Sequence, residues 1–322
     1  MSRLTDQQKA DIFTMRSQGF SSRAIASAVL GSSTKKSTVN DLISRQESTN
    51  AIQVKSGKDK PNILVIDVET APEIGYFFRR FKAFIAPEQV IKRGYLLSYS
   101  AVGLDDSDEV VGRNLTNYNL FGIDHTDDYE LCLELWDLLD EADVVIAHNG
   151  QKFDRAYINQ RFAYHELPPP SNYVVIDTLR AAKKQFALPS NALKEICMYF
   201  ETENFKLENE GFPLWKSCCE GDEDAFHRMQ TYNDGDVISL RDVYRKLLPW
   251  IPQHPNVSAY YKDSACRCPR CGSTEVSVVK DKVYNTGVST FEILRCSSCN
   301  GLSRARVNLR TKEKRVNTII GV

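Results

Sequence analysis

No stretch of this chain approaches the ~18 consecutive apolar residues that a membrane span requires. Its start, MSRLTDQQKADIF, lacks the apolar run of a secretory leader. No internal repeat is visible, and net charge is nearly absent, −1 over 322 residues. With 42% hydrophobic and 26% charged residues the composition is that of a soluble globular protein able to bury a sizeable core, expected in the cytoplasm and away from membranes. At ~100 to 200 residues per domain, the length implies one full-size domain with smaller attachments. Cysteine is not scarce, but five of the nine crowd into residues 266–299 in a CxxC…CxxC pattern, which argues for metal binding over a secreted disulfide scaffold. Cys132, Cys197, Cys218 and Cys219 are expected to be reduced core or surface thiols.

The near-zero net charge conceals an asymmetry. Residues 1–47 carry seven Lys and Arg against four Asp and Glu, residues 48–61 three against one, and residues 262–322 twelve against five. Residues 62–261 carry 19 against 32. An acidic centre between basic ends fits ends that meet a polyanion and a centre that holds cations, although a solvated acidic surface would give the same balance.

Compositional breaks divide the chain into residues 1–47, a linker at 48–61 with no periodicity, a domain at 62–261 and a cysteine-rich tail at 262–322. In the first, Thr5 and Gln8 form a capping box ahead of a helix that Gly19 stops. Ser21 or Ser22 starts a second helix that Gly31 ends, and STVNDLISRQ reads as a third. GFSSRAIASAVLGSSTKKSTVNDLI resembles the helix-turn-helix units of resolvases and transposase-like proteins. The resemblance implies a third helix in a DNA groove, with Lys35, Lys36, Ser37, Thr38, Asn40 and Arg45 as its exposed polar set. A three-helix packing or oligomerisation module is the alternative.

From residue 62 the pattern is strand (NILVIDV), strand (YLLSYSAVGL), strand (EVVGRNL), helix (DYELCLELWDLLDEA), strand (DVVIAHN), helix (FDRAYINQRFAYH), strand (YVVID), then helices, the last running from about Asp222 to Leu248 before Pro249. This is the element order of an α/β, ribonuclease-H-like mixed sheet flanked by helices. Asp67 and Glu69, two apart on a strand, share a face. Asp154 opens a helix just after a strand, at the sheet edge where open α/β sheets hold ligands. Tyr232 and Asp236 are i and i+4 on the closing helix. Asp234 faces about 200° away from Asp236, so only one of the two can join Tyr232, and the i+4 residue is the choice. Asp177 reads as a helix cap and His148 as a strand-end hydrogen-bonding residue.

Four carboxylates in this order, in ILVIDVET, AHNGQKFD and TYNDGDVIS, make the stretch from Asn62 to about Asn256 resemble the DEDD superfamily of 3′ to 5′ exonucleases, which includes polymerase proofreading domains and RNase D. The Tyr232-to-Asp236 spacing matches its tyrosine-bearing (DEDDy) subclass. DVETAP, HNGQKFD, PPPSNYVVIDTL, FPLW and PWIPQHPNV are similar to phage-encoded exonucleases with a ribonuclease-H-like domain and a zinc ribbon behind it. For a phage protein, the location would be the host cytoplasm. The resemblance implies two Mg²⁺ or Mn²⁺ ions, one held by Asp67, Glu69 and Asp236 and a second shared by Asp67 and approached by Asp154. It implies that Tyr232 orients the attacking water, since a phenol titrates at about 10. It also implies that Thr70, Asn149 and Phe153 contact the terminal nucleotide; Phe153 as a core residue is the alternative.

In the tail, Cys268 and Cys271 face Cys296 and Cys299 across a 24-residue spacer that reads as strands with an Asn-Thr-Gly turn. Four thiolates so spaced can surround one structural Zn²⁺ in a zinc ribbon; a reactive dithiol is the alternative. The surplus positive charge, including Arg267, Arg270, Arg304, Arg306, Arg310, Lys312, Lys314 and Arg315, fits contact with a phosphate backbone, and a protein-docking ribbon is the other reading. The expected function is a metal-dependent 3′ to 5′ exonuclease on DNA, single strands favoured. The alternatives are an exoribonuclease of the same fold or a non-catalytic nucleic-acid-binding protein on a nuclease-like core. A replication or repair protein is a candidate partner, and nothing in the residues fixes the oligomeric state.

Overall fold

The apolar run of NILVIDV ends at the centre of a sheet, because a strand buried on both faces needs apolar side chains at successive positions. The computed structural model describes residues 4–18, 20–40, 42, 60–79, 81, 84–104, 109–205, 210–251 and 253–320. Its chain forms two units, Met1–Asp59 and Lys60–Val322.

In the first unit, α1 (Asp6–Ser17) starts from a capping box. Gln8 N–H donates to Thr5 Oγ1 at 3.2 Å, and Thr5 N–H to Gln8 Oε1 at 3.0 Å. α2 (Ser22–Leu30) is capped by Ser21 and ends at Gly31, whose φ of 70° only glycine adopts at little cost. A 3₁₀ turn at Ser33–Lys35 leads into helical residues 36–40. Ile12, Ile25, Ala26 and Val39 form a small core. The sequence-predicted stop at Gly19, Arg45 and all but residues 60–61 of the linker lie outside the described residues.

The second unit is built on five strands: β1 (Ile63–Thr70), β4 (Leu96–Gly103), β5 (Val110–Asn114), β6 (Val144–Ala147) and β7 (Val174–Asp177), in the order β5-β4-β1-β6-β7. β4 and β5 pair antiparallel and β6 and β7 parallel, so β1 is the junction. This is the mixed α/β sheet of a ribonuclease-H-like fold. A two-stranded excursion, β2 (Ile74–Gly75) and β3 (Val90–Lys92), interrupts the path from β1 to β4. The helices are α3 (Tyr129–Glu141), α4 (Asp154–Tyr164), α5 (Thr178–Gln185), α6 (Leu193–Phe200), α7 (Phe212–Cys219) and α8 (Glu223–Leu247). None of the described helices is long and apolar enough to cross a membrane.

Strand alternation sorts the core into two layers. Ile66, Val68, Tyr99 and Val145 join Leu131, Leu135, Ile158 and Phe162 of α3 and α4 on one face. Val65, Val102, Val144 and Ile146 join Ile196 of α6 and Val237, Leu240, Val243 and Tyr244 of α8 on the other. α8 serves both layers, since its Phe226 and Met229 belong to the first. Tyr232, Asn233 and Asp236 fall on the stretch between its two apolar ends.

The tail forms a three-stranded sheet of β8 (Val276–Asn285), β9 (Thr290–Cys296) and β10 (Leu302–Arg304), followed by the short α9 (Lys312–Val316). It is seated on the main domain. Arg270 Nε donates to Ile251 O at 3.2 Å, Val257 N–H donates to Pro269 O at 2.8 Å, and Cys271 and Cys299 pack against the second core layer. Arg267 is engaged too, pairing with Asp263 at 2.5 Å and lying over the Tyr261 ring. These two arginines, part of the basic surplus of the tail, thus also have partners within the fold.

Candidate active site

The site grows from the pleat of β1. Val65, Asp67 and Glu69 share a face, and Val65 sits in the second core layer, so the two carboxylates continue that face toward the strand's end. Their cross-strand neighbours on β4 are Ser100 and Ser98, both fully buried. Small residues there leave room for α8 to approach. One carboxylate oxygen each of Asp67, Glu69 and Asp236 lies within 4.8 Å of the others, and Asp236 is 2% exposed. Three carboxylates that close oppose one another's ionisation, and a hard divalent cation relieves the repulsion. The all-oxygen donor set therefore fits Mg²⁺ or Mn²⁺.

Asn233, which sequence reasoning passed over, completes this corner. It is fully buried and its Nδ2–H donates to Asp67 Oδ2 at 2.7 Å. Its position between Tyr232 and Asp234 gave no signal, because only the rotation of α8 against β1 aims it at Asp67. Asp234 points elsewhere: Ser100 Oγ donates to its Oδ1 at 2.6 Å and Gln230 Nε2 at 2.7 Å. Tyr232 is buried, and the Trp215 ring meets it edge-on with centroids 6.2 Å apart. That contact accounts locally for FPLW: Gly211 at φ 72° and Pro213 in the first turn start α7, which delivers Trp215.

Asp154 opens α4 beside this group without joining the mutual 4.8 Å cluster. It is 4% exposed, and the backbone N–H groups of Asp154 and Val68 donate to its carboxylate. Burial raises its pKa from 3.8 to about 6 against the pull of those two donors, and the charge of Asp177 adds to the rise. α4 is anchored by a buried ion pair, Arg161 donating to Asp128 through Nε at 2.8 Å and Nη2 at 2.6 Å, with His165 Nε2 also 2.6 Å from Asp128. Asp128, Cys132 and His165 lie close enough to hold a metal, but Arg161 already neutralises that carboxylate.

The loop before α4 is tight. Asn149 has φ 70°, and a Cβ on Gly150 would stand 2.3 Å from Ala147 Cβ. Asp177 fixes the loop by accepting from Asn149 N–H at 3.1 Å while capping α5 through Arg180 N–H at 3.1 Å. His148 bonds Thr178 Oγ1 and Asn191 O. Phe153 is 45% exposed and so is not a core residue. Thr70 ends β1 at an irregularity in its pairing with β4.

A raised folded-state pKa means that Asp154 contributes stability below pH 3.8 that is lost as pH climbs through about 6. Asp154→Asn is therefore expected to stabilise the metal-free protein at pH 7.5 by about 1–3 kcal/mol, a gain that shrinks as pH falls to 4.5. Urea unfolding in EDTA at the two pH values measures it, and destabilisation at pH 7.5 would contradict the assigned environment.

In the tail, Cys268 Sγ lies 3.6 Å from Cys299 Sγ, and Cys271 Sγ lies 3.6 Å from Cys296 Sγ. All four sulfurs are within 4.8 Å of one another. A Zn–S bond of ~2.3 Å requires a tetrahedron edge of about 3.8 Å, so the four fit one zinc ion. A hydrogen bond with the Cys271 thiol pulls Cys268 down to about 4, and burial pushes Cys299 up to about 11. Cys266 is exposed and outside the cluster. Arg304 lies 4.3 Å above the Phe291 ring, and Arg306 is exposed. In the first unit Lys35, Lys36, Ser37, Thr38 and Asn40 are exposed, with Lys35 Nζ donating to Leu30 O.

The sheet order, the closing helix and the acid cluster can now be set beside known proteins. Residues 104–248 match the RNase_H superfamily. The matched segment runs from β5 through α8 and contains Asp154, Tyr232 and Asp236, whereas Asp67 and Glu69 precede it. The family B DNA polymerase from the hyperthermophilic archaeon Pyrobaculum calidifontis is similar in structure over 60% of this chain and 26% of its own, with 14% sequence identity and a TM-score of 0.40. The chain thus spans about a quarter of that polymerase's length. No curated protein matches the chain in sequence.

Proposed function

We propose that the protein is a divalent-metal-dependent nuclease of the tyrosine-bearing DEDD type that removes nucleotides from the 3′ end of DNA, single strands preferred. The observation that carries this reading is the meeting of Asp67, Glu69 and Asp236 within 4.8 Å, with Tyr232 one turn before Asp236 on the same helix. Little protein chemistry other than two-metal phosphodiester cleavage needs carboxylates concentrated where phosphate must approach. Asp67, Glu69 and Asp236 would hold one ion and Asp154 would serve a second; bound ions polarise a water and neutralise charge on the phosphoryl group. Asn233 holds the Asp67 carboxylate in one orientation. Trp215 fixes the Tyr232 ring, whose hydroxyl orients the attacking water. Asn149, Phe153 and Thr70 line the approach for the terminal nucleotide. The four tail cysteines would hold a structural zinc, with Arg304 and Arg306 facing phosphate. Lys35, Lys36, Thr38 and Asn40 would face DNA in the helix-turn-helix reading.

A digestion panel tests this: single-stranded and duplex DNA and RNA, each with the 3′ or the 5′ end blocked, with Mn²⁺ or with EDTA. The expected result is stepwise shortening of single-stranded DNA from a free 3′ end, stopped by a 3′ block, by EDTA and by Asp67→Ala. Shortening of RNA alone would make the protein an exoribonuclease. Failure of the wild type on every substrate would leave a nucleic-acid-binding protein on a nuclease-like core.

A further inference from the structure

The excursion between β1 and β4 carries a feature that folding does not explain. Its neck is ordered: Ile74 pairs with Lys92 and Gly75 with Val90, Tyr76 N–H donates to Gln89 O at 2.9 Å, and Gln89 Nε2 returns to Tyr76 O at 3.0 Å. Its tip, however, presents Phe77, Phe78, Phe81 and Phe84 to solvent, and Phe78 is fully exposed. Exposed phenylalanines so close in sequence contribute nothing to the core and constitute a patch that calls for a partner.

The root of this arm adjoins the acid cluster. Ala71, two residues after Glu69, donates its N–H to Tyr95 O at 2.8 Å and closes the base. Gly94, at the returning end, lies so near Tyr157 of α4 that a Cβ there would stand 2.2 Å from its hydroxyl. Arg161 of α4 also reaches Gly94 O. The Tyr157 ring neighbours that of the half-exposed Phe153, with centroids 6.0 Å apart. Phe153, which precedes Asp154 in the chain, is thus followed by a second aromatic ring, Tyr157, at the root of the arm.

Charge identifies the occupant. The sequence YFFRRFKAF interleaves Arg79, Arg80 and Lys82 with the phenylalanines, and residues 73–94 hold five basic against two acidic residues inside a domain of balance −13. Aromatic faces set among cations suit unpaired bases on a phosphate backbone, because every base offers a π-face once it is out of a duplex. A purely apolar partner would gain nothing from the cations.

Resting on the nuclease reading above, we infer that Phe77, Phe78, Phe81 and Phe84 form a stacking arm that grips the single strand leading to the metal-binding acids, so that the substrate class is an unpaired 3′ end at least several nucleotides long. A blunt duplex offers this arm only its phosphates.

The test compares wild type with Phe78→Ala/Phe81→Ala/Phe84→Ala, all exposed positions whose replacement should leave the thermal melt unchanged. Fluorescence anisotropy with a 5′-labelled 20-mer of oligo(dT) and with a blunt 20-base-pair duplex, both in EDTA, reads binding. Hydrolysis of the p-nitrophenyl ester of thymidine 5′-monophosphate in Mn²⁺ reads the chemistry without a strand. At about tenfold per stacked base, the variant is expected to bind oligo(dT) at least tenfold more weakly, lose its preference for single strand over duplex, and keep wild-type turnover on the ester. Unchanged affinity for oligo(dT) overturns the inference and assigns the phenylalanines to a protein contact. If the wild type hydrolyses no substrate, the nuclease reading fails, and the binding comparison still decides the role of the arm.

Discussion

Asp236→Ala is expected to reduce cleavage of a single-stranded oligonucleotide by at least about 10³-fold, equivalent to about 4 kcal/mol of transition-state stabilisation, while the protein folds as well as before. The cluster's own electrostatics set both effects. Asp236 shares its surroundings with Asp67 and Glu69 at under 4.8 Å, and removing one of three crowded anions relieves repulsion in the metal-free protein. The same deletion removes a ligand, so the stability gained without metal and the activity lost with it share one cause. Asp234→Ala is the built-in contrast. That carboxylate accepts from Ser100 at 2.6 Å and Gln230 at 2.7 Å, so its loss should cost about 1–3 kcal/mol of stability and leave turnover per folded molecule within about tenfold. Turnover by Asp236→Ala within tenfold of wild type, with bound Mn²⁺ retained, would reject the ligand assignment.

Much of this architecture is legible in the sequence because one physical demand dominates each legible segment. NILVIDV can only be a two-sided strand, and the helix from Asp222 to Leu248 is bounded by a capping aspartate and a proline. Helix phase alone separates Asp236 from Asp234, and the two side chains do meet different neighbours. What sequence leaves hidden depends on how elements are rotated or seated. Asn233 faces Asp67 only because α8 lies over β1 at one rotation. That Arg267 pairs with Asp263 and Arg270 with the Ile251 carbonyl is likewise not written in the sequence. The arm escapes a strand reading because β2 and β3 have two and three residues, too short for any alternation to register. Its phenylalanines look like core residues in a sequence, and only accessibility distinguishes them.

Freshly purified protein is expected to contain one zinc per chain, and Cys296→Ser to lose it together with the order of the tail. The tail's strands bury little: β8 exposes most of its side chains, and among the described tail residues only Cys268, Gly272, Cys296 and Gly301 are buried. A module with so small a core draws its folding free energy from the metal, on the order of 10 kcal/mol for a structural zinc. The loss should reach the main domain as well. Cys271 and Cys299 pack against the layer that contains Tyr244, whose hydroxyl donates to His254 Nε2 at 2.7 Å, and Arg270 bridges Ile251 O and Leu302 O. Each kcal/mol of docking lost lowers the melting temperature of a domain this size by about 2–4 °C, so a drop of several degrees is expected alongside rapid proteolysis after residue 262. Oligonucleotide-independent hydrolysis of a small phosphodiester should survive in whatever remains folded, since the four tail cysteines form a group separate from Asp67, Glu69 and Asp236. Protein purified without chelator that carries no zinc, together with a Cys296→Ser variant whose tail resists protease like wild type, would show that the four thiols stand together for another reason.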